Sequence, residues 1–200
     1  MTKVFDKWDA EGVIIKDLGL AKYINLDTHT IPHSFGKKNS KRFQKGEIGI
    51  VERLINKMMR SGQGKRKLSG KYIRGRKGTG QKIQTMETVE KAFEIIEQKT
   101  KQNPIQVLVQ ALENTAPRED ITRIKKGGIA YSQSVDVAPL RRLDEALKNL
   151  SLAAFSNSFK NKTDASAALA EELILASKGD IKSFSVKRRD EVERIAKSSR

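Results

Sequence analysis

Apolar side chains recur every three to four positions in six stretches of this chain, the spacing that places them on one face of an α-helix. In the first stretch, Ile48, Val51, Ile55 and Met58 share such a face. In another, Asn103 followed by Pro104 gives a helix N-cap and a proline at the first helical position. The predicted helices cover about residues 48–60, 84–100, 103–114, 139–154, 164–177 and 184–197.

The period changes to two between Ile121 and Val137, where β-branched residues alternate with polar ones around Gly127-Gly128. A glycine pair between two such runs predicts a β-hairpin, which we place at 119–138. Two strands alone are marginally stable, so we expect the hairpin to pack on helices or on a partner. The predicted fold is therefore mainly α: a helical bundle with a protruding β-hairpin arm.

Two segments lack any sustained period. Residues 1–47 are interpreted as an extended basic N-terminal arm in front of a helical domain at 48–200. Residues 61–82 contain six glycines, eight Lys/Arg and no acidic residue, which indicates a long, flexible basic loop.

Charge is concentrated between residues 28 and 82. This segment holds 16 Lys/Arg against Glu47 and Glu52, a net charge of +14 out of +16 for the whole chain of 200 residues. Like charges at this density destabilise a compact fold by self-repulsion, whereas a polyanion relieves the repulsion and releases its own counterions on binding. Nucleic acid is therefore the expected partner.

Two cations also occupy a position at which an external anion would stabilise them. The adjacent pair Arg141-Arg142 lies in the first turn of a predicted helix, whose end is already positive. The charge pattern makes the following residues candidate phosphate ligands: Lys37, Lys38, Lys41, Arg42, Lys45, Arg53, Lys57, Arg60, Lys65, Arg66, Lys67, Arg74, Arg76, Lys77, Arg141, Arg142, Lys187, Arg188 and Arg189.

Other chemistry has little support in the sequence. The chain has no cysteine, its two histidines flank Pro32, and the glycine-rich loop departs from phosphate-loop spacing. We therefore expect no enzyme activity, cofactor, metal or small-molecule substrate. No apolar run nears the length of a membrane span, so we expect a cytosolic protein with no membrane partner.

RNA is favoured over DNA, although an architectural DNA-binding protein and an enzyme acting on RNA remain alternatives. We find no helix-turn-helix, zinc-finger, basic-zipper or RNP motif. Flexible basic arms suit irregularly folded RNA, which proteins recognise by shape and backbone.

A set of motifs occurs in one order between about residue 20 and the end: Ala111-Leu112-Glu113-Asn114, Pro117-Arg118-Glu119-Asp120, Gly127-Gly128, Val135-Asp136-Val137-Ala138-Pro139-Leu140-Arg141-Arg142, Ala170-Glu171-Glu172-Leu173 and Lys187-Arg188-Arg189-Asp190-Glu191-Val192-Glu193-Arg194. Together they resemble the universal small-subunit ribosomal protein seven family. Two further motifs, Val51-Glu52-Arg53-Leu54 and Pro32-His33-Ser34, resemble its archaeal and eukaryotic branch.

The resemblance implies a structural protein of the cytoplasmic ribosome that binds the 3′ major domain of small-subunit rRNA and helps to start assembly of the head. It implies a position beside the exit-site tRNA and the mRNA path, with neighbouring head and platform proteins as further partners. Arg118 joins the candidate rRNA ligands on this basis. The residues expected near tRNA and mRNA are Arg123, Lys125, Lys126, Gly127, Gly128 and Arg200. Loop 61–82 is longer and more basic than the family pattern, so its target stays open.

Overall fold

A computed structural model describes residues 3–27, 29–38, 41, 43–61, 67–68, 71–72 and 80–200. In the described part, the helices are α1 (Leu18–Ala21), α2 (Ile50–Met58), α3 (Lys82–Thr100), α4 (Pro104–Thr115), α5 (Pro139–Ser158), α6 (Ala165–Ser177) and α7 (Phe184–Lys197), with a 3₁₀ turn at Gln44–Glu47. The strands are β1 (Lys67–Leu68), β2 (Lys71–Tyr72), β3 (Glu119–Lys126) and β4 (Ile129–Asp136). The mainly α prediction with a hairpin arm is confirmed.

Helix α6 lies at the centre of the bundle and packs against α3, α4 and α5. Its sequence is rich in Ala and Leu on all sides, which is typical of a helix surrounded by other helices. Leu173 of α6 is fully buried, as are Phe93 of α3, Leu108 of α4 and Leu147 of α5. One continuous apolar core therefore joins the helices that flank the basic segments.

Local chemistry sets the helix ends. The Asn103 side chain accepts a hydrogen bond from the Ile105 N–H at 2.9 Å, and Pro104 follows it at the first position of α4. The Ser183 hydroxyl accepts from the Val186 N–H at 3.3 Å at the start of α7. Both side chains satisfy amide donors that have no partner inside the helix.

Strands β3 and β4 pair antiparallel in a register that joins Ile124 to Tyr131 and Lys126 to Ile129. The turn consists of Gly127 at φ 58° and Gly128 at φ 81°, left-handed backbone that glycine adopts without steric cost. The root of the hairpin packs against α7, whereas most of β4 is exposed. The hairpin therefore protrudes from the bundle, as predicted.

The N-terminal segment corrects the predicted extended arm. Val4, Trp8, Leu20 and Ile24 are buried in the core, so residues 3–27 pack on the helical bundle. The Trp8 ring meets Phe93 edge-to-face at 5.6 Å between centroids, and its Nε1–H donates to Glu97 at 2.9 Å. These buried residues lie in irregular backbone and do not recur at helical or strand spacing. The hydrophobic pattern of the sequence therefore did not predict their burial.

The basic loop also differs from its prediction. Lys67 pairs with Tyr72 and Leu68 with Lys71, so a short two-stranded ribbon lies where no strand was expected. The rest of the loop, at 62–66, 69–70 and 73–79, lies outside the described residues.

Candidate nucleic-acid interface

The carboxylate of Asp144, on the second turn of α5, gathers three cations from the basic segment. Lys45 Nζ lies 2.6 Å from Oδ2, while Arg53 Nη2 and Lys57 Nζ lie 3.3 and 3.2 Å from Oδ1. Three positive charges against one negative leave this cluster with a net charge of +2. It is therefore held together internally and still attracts an external anion.

Burial and the nearby cations have opposite effects on the pKa of Asp144. Burial alone would raise the pKa of this carboxyl, but the hydrogen bond from Lys45 and the charges of Lys57 and Arg53 outweigh it, so the pKa lies below its ordinary value. Burial lowers the pKa of Lys57 despite the nearby Asp144. The carboxylate therefore stays ionised near neutral pH, as the cations require.

A second buried acid, Glu52 on α2, fixes the loop that precedes the 3₁₀ turn. Its Oε1 accepts from the Ser34 N–H and hydroxyl, both at 3.0 Å, and from Lys82 Nζ at 2.6 Å. Burial would raise the pKa of Glu52, yet these hydrogen bonds outweigh it and the pKa is lowered. Glu52 thereby ties the 33–35 loop and the start of α3 to α2.

Arg141 and Arg142 in the first turn of α5 have different surroundings. The Arg142 side chain is about 10% exposed, and its Nη2 lies 2.9 Å from Asp17 Oδ2, with Nε donating to the Pro117 carbonyl at 3.2 Å. The Arg141 side chain is 66% exposed and only its Nη2 meets Asp120, at 3.1 Å. Arg142 therefore holds the N-terminal segment, whereas Arg141 faces solvent.

The three candidate cations of α7 have different contacts. Arg189 donates to the Asn114 carbonyl at the end of α4 and pairs with Asp190 at 2.6 Å. The Arg118 N–H donates to Glu193 Oε1 at 2.9 Å, which brings the exposed Arg118 beside α7. Lys187 is exposed, and Arg188 pairs with Glu191 within the helix.

The C-terminal residues contact the base of the hairpin. Arg200 forms an ion pair with Glu119 in the first pair of the ladder, and the Ser199 carbonyl accepts from the Ser134 N–H at 3.4 Å. Arg123 and Lys125 are exposed further along β3. The predicted tip residues thus stand on an arm whose base is fixed to α7.

Two of the candidate phosphate ligands are buried. Arg53 is 3% exposed and donates to the Tyr23 carbonyl at 3.4 Å besides meeting Asp144, and Arg142 is 8% exposed. Both arginines are therefore buried, and each neutralises a half-buried acid. Among the remaining candidates, Lys37, Lys41 and Arg60 are exposed, while Lys38 donates to the Glu47 carbonyl at 2.9 Å.

Arg42, Lys65, Arg66, Arg74, Arg76 and Lys77 lie outside the described residues, and only the backbone of Lys67 and Lys126 is described.

Sequence reasoning missed the acids that organise the cations. Asp17, Glu52 and Asp144 each receive a basic side chain from a distant segment. Glu52 could have been recognised because it is one of only two acidic residues in the basic segment 28–82. Asp17 and Asp144 lie in balanced segments and gave none.

Neither a metal centre nor a membrane span is found in the described part of the chain. No group of three or more potential metal ligands occurs there. None of its helices combines the length and the apolarity needed to cross a bilayer.

Comparison with known proteins identifies the class to which this bundle, hairpin and cation arrangement belong. The profile described as "Ribosomal protein S7p/S5e" matches residues 20–200. The chain belongs to this family of structural, non-enzymatic ribosomal proteins. The predicted resemblance is thereby confirmed.

Named archaeal relatives match nearly end to end. "Small ribosomal subunit protein uS7" of Methanococcus aeolicus is 46% identical over 199 residues, which cover 99% of this chain and 98% of the relative. The protein of the same name from Methanococcus maripaludis is 48% identical over 199 residues, with the same coverage. That of Picrophilus torridus is 46% identical over 197 residues, 98% of each chain. These relatives confirm the archaeal-type assignment.

Proposed function

We propose that the protein is a structural constituent of the cytoplasmic small ribosomal subunit that binds the 3′ major domain of small-subunit rRNA. In this role it helps to nucleate assembly of the head, and it lies near the exit-site tRNA and the mRNA path. Neighbouring head and platform proteins are its further partners. Family membership supports the ribosomal role, and the arrangement of cations supports the RNA contact.

The observation that carries the proposal is the Asp144 cluster. Through it, Lys45 and α2 are fixed to α5, whose first turn carries Arg141. Cations that are about 100 residues apart in the chain therefore act from one rigid scaffold. Such a scaffold fits the irregular backbone of one RNA junction better than a straight duplex.

The candidate residues divide into two roles. Exposed or half-exposed cations contact phosphate directly: Lys37, Lys38, Lys41, Lys45, Lys57, Arg60, Arg118, Arg141, Lys187, Arg188 and Arg189. Buried Arg53 and Arg142 are positioning residues that hold Asp144 and Asp17, and thereby the segments that carry the exposed cations.

The hairpin has a different proposed target. Its tip, with Arg123, Lys125 and Lys126 beside Gly127-Gly128, reaches away from the bundle towards the exit-site tRNA. The ion pair between Arg200 and Glu119 holds the base of the arm and brings the C-terminus to the same side. A rigid base with an exposed basic tip suits contact with a ligand that arrives and leaves.

The proposal is tested by the salt dependence of rRNA binding. Replacing Lys37, Lys38 and Lys41 together by Gln removes three phosphate contacts, so the slope of log affinity against log salt should fall by about three. The matched control replaces three exposed lysines on and after α3, Lys91, Lys99 and Lys101, and should leave the slope unaltered. Equal effects of the two triples would contradict the assigned surface.

A competition assay separates RNA from DNA recognition. Duplex DNA at equal nucleotide concentration should not displace the 3′-domain rRNA fragment, because the cation surface matches RNA shape. Displacement by DNA at equal nucleotide concentration would favour an architectural DNA-binding protein instead.

A further inference from the structure

Phe35 combines two features that the fold alone does not explain. Its side chain is 77% exposed, and its backbone has φ 50°, in the left-handed region that bulky residues rarely adopt. Exposure of an aromatic ring and backbone strain both oppose folding. Strain of this kind persists where the surroundings enforce it, and it concentrates at functional sites.

The surroundings hold the Phe35 ring in one place. It stacks on His33 with 4.3 Å between ring centroids and 26° between planes. The Phe35 N–H donates to His33 Nδ1 at 2.8 Å, and the intervening Ser34 is fixed twice to Glu52. A preorganised ring loses little conformational entropy when a ligand stacks on it.

The charges around the ring indicate what the ligand is. Residues 28–46 carry five Lys/Arg and no acidic residue. Exposed Lys37 and half-buried Lys38 border the same pocket of about 210 Å³ as His33 and Phe35. An exposed aromatic ring among cations is the arrangement by which proteins stack an unpaired base and bind its flanking phosphates. Glu52 also lines this pocket, but its charge is paired with Lys82 at 2.6 Å.

We propose that the stacked pair of His33 and Phe35 is a platform for one unpaired base of the bound rRNA. The base stacks on the exposed face of Phe35, and Lys37 and Lys38 contact the adjacent phosphates. This inference rests on the proposed rRNA binding and adds a base-stacking contact to it. The platform gives the basic segment at residues 28–46 a preference for single-stranded nucleotides that phosphate contacts alone do not supply.

The test uses the 200-residue chain and a transcript of the 3′ major domain of small-subunit rRNA. Phe35→Leu keeps an apolar side chain but removes the ring, and should weaken binding by about 5- to 150-fold. The salt slope should stay the same, because no charge is lost. Phe35→Tyr keeps the ring and should bind like the wild type.

Two further variants are controls. One tests whether lost affinity reflects misfolding, and the other tests whether removal of any exposed aromatic ring lowers RNA affinity. Phe35→Asn places a residue that tolerates the left-handed region, so it should melt no lower than the wild type while binding as weakly as Phe35→Leu. Phe159→Leu removes another exposed ring, 49% accessible with Lys160 Nζ 5.7 Å from its centroid, and should not alter binding.

The outcomes separate this inference from the proposed function. If the wild type binds the transcript and Phe35→Leu binds equally well, the platform is overturned while rRNA binding stands. The same holds if Phe159→Leu loses as much affinity for the transcript as Phe35→Leu does. If the wild type does not bind, both proposals fail.

Discussion

The Asp144 carboxylate on α5 accepts a hydrogen bond from Lys45 Nζ at 2.6 Å, although 99 residues separate the two in the chain. The same carboxylate meets Arg53 and Lys57. One acid therefore fixes the basic segment to the helix that carries Arg141. In a chain with a net charge of +16, acidic residues that pair with cations from distant segments fix the positions of those cations.

Asp144→Asn should destabilise the fold by about 3 kcal/mol, because it leaves Arg53 buried without its counter-charge. Chemical denaturation measures this loss. The neighbouring Glu145→Gln removes only the partly exposed pair with Lys148 and should cost less than about 1 kcal/mol. Equal losses would show that Asp144 does not organise the cluster.

Stability should fall in acid. The folded-state pKa values of Asp17, Glu52 and Asp144 lie below their ordinary values, since cationic partners outweigh the effect of burial. Below about pH 4.5 the unfolded chain therefore binds more protons than the folded one, and the contribution of these acids is lost as the pH falls further. The denaturation midpoint should be steady above that pH and decline below it.

The decline should be shallower in Asp144→Asn than in the wild type, because one of the groups that titrate has been removed. Midpoints measured from neutral pH down to about pH 3 test this. A parallel decline in both proteins would mean that Asp144 is not among the groups responsible.

The spacing of apolar residues predicts the helices, but it does not predict buried residues that lie outside helices and strands. Leu147 and Phe93 recur at helical spacing, so their burial follows from the sequence pattern. Trp8 lies in backbone without a period, and its burial against Phe93 depends on tertiary packing alone. Likewise, Arg53 belongs by charge to the basic surface, but its partner Asp144 lies in another helix that only the fold brings near.

Arg141 and Arg142 should separate binding from stability. Arg141→Ala removes an exposed cation, so it should reduce the salt slope of rRNA binding by about one and leave the free energy of unfolding within about 1 kcal/mol. Arg142→Ala should instead cost about 3 kcal/mol of stability, since Asp17 loses its partner. Denaturation and binding measured on both variants test the split. The reverse pattern would contradict the two roles.

Glu172 on α6 anchors the start of α7 and should be required for its docking. This buried carboxylate accepts from the Ser183 and Ser185 hydroxyls, both at 2.7 Å, and from the Ser185 N–H at 3.0 Å. Glu172→Ala leaves these donors unsatisfied and should destabilise the protein by about 2 kcal/mol or more, with faster hydrogen exchange in α7. Its exposed neighbour provides the control, since Glu171→Ala removes only a 3.7 Å contact with Lys99. Similar exchange rates in both variants would contradict the anchoring role.

Hydroxyl-radical footprinting on isolated small-subunit rRNA at moderate salt tests the central claim most directly. The scaffold of cations held by Asp144 should protect one multihelix junction in the 3′ region and little else. Asp144→Asn should weaken that protection more than Glu145→Gln does. Diffuse protection along the whole rRNA, or none at all, would contradict the assignment.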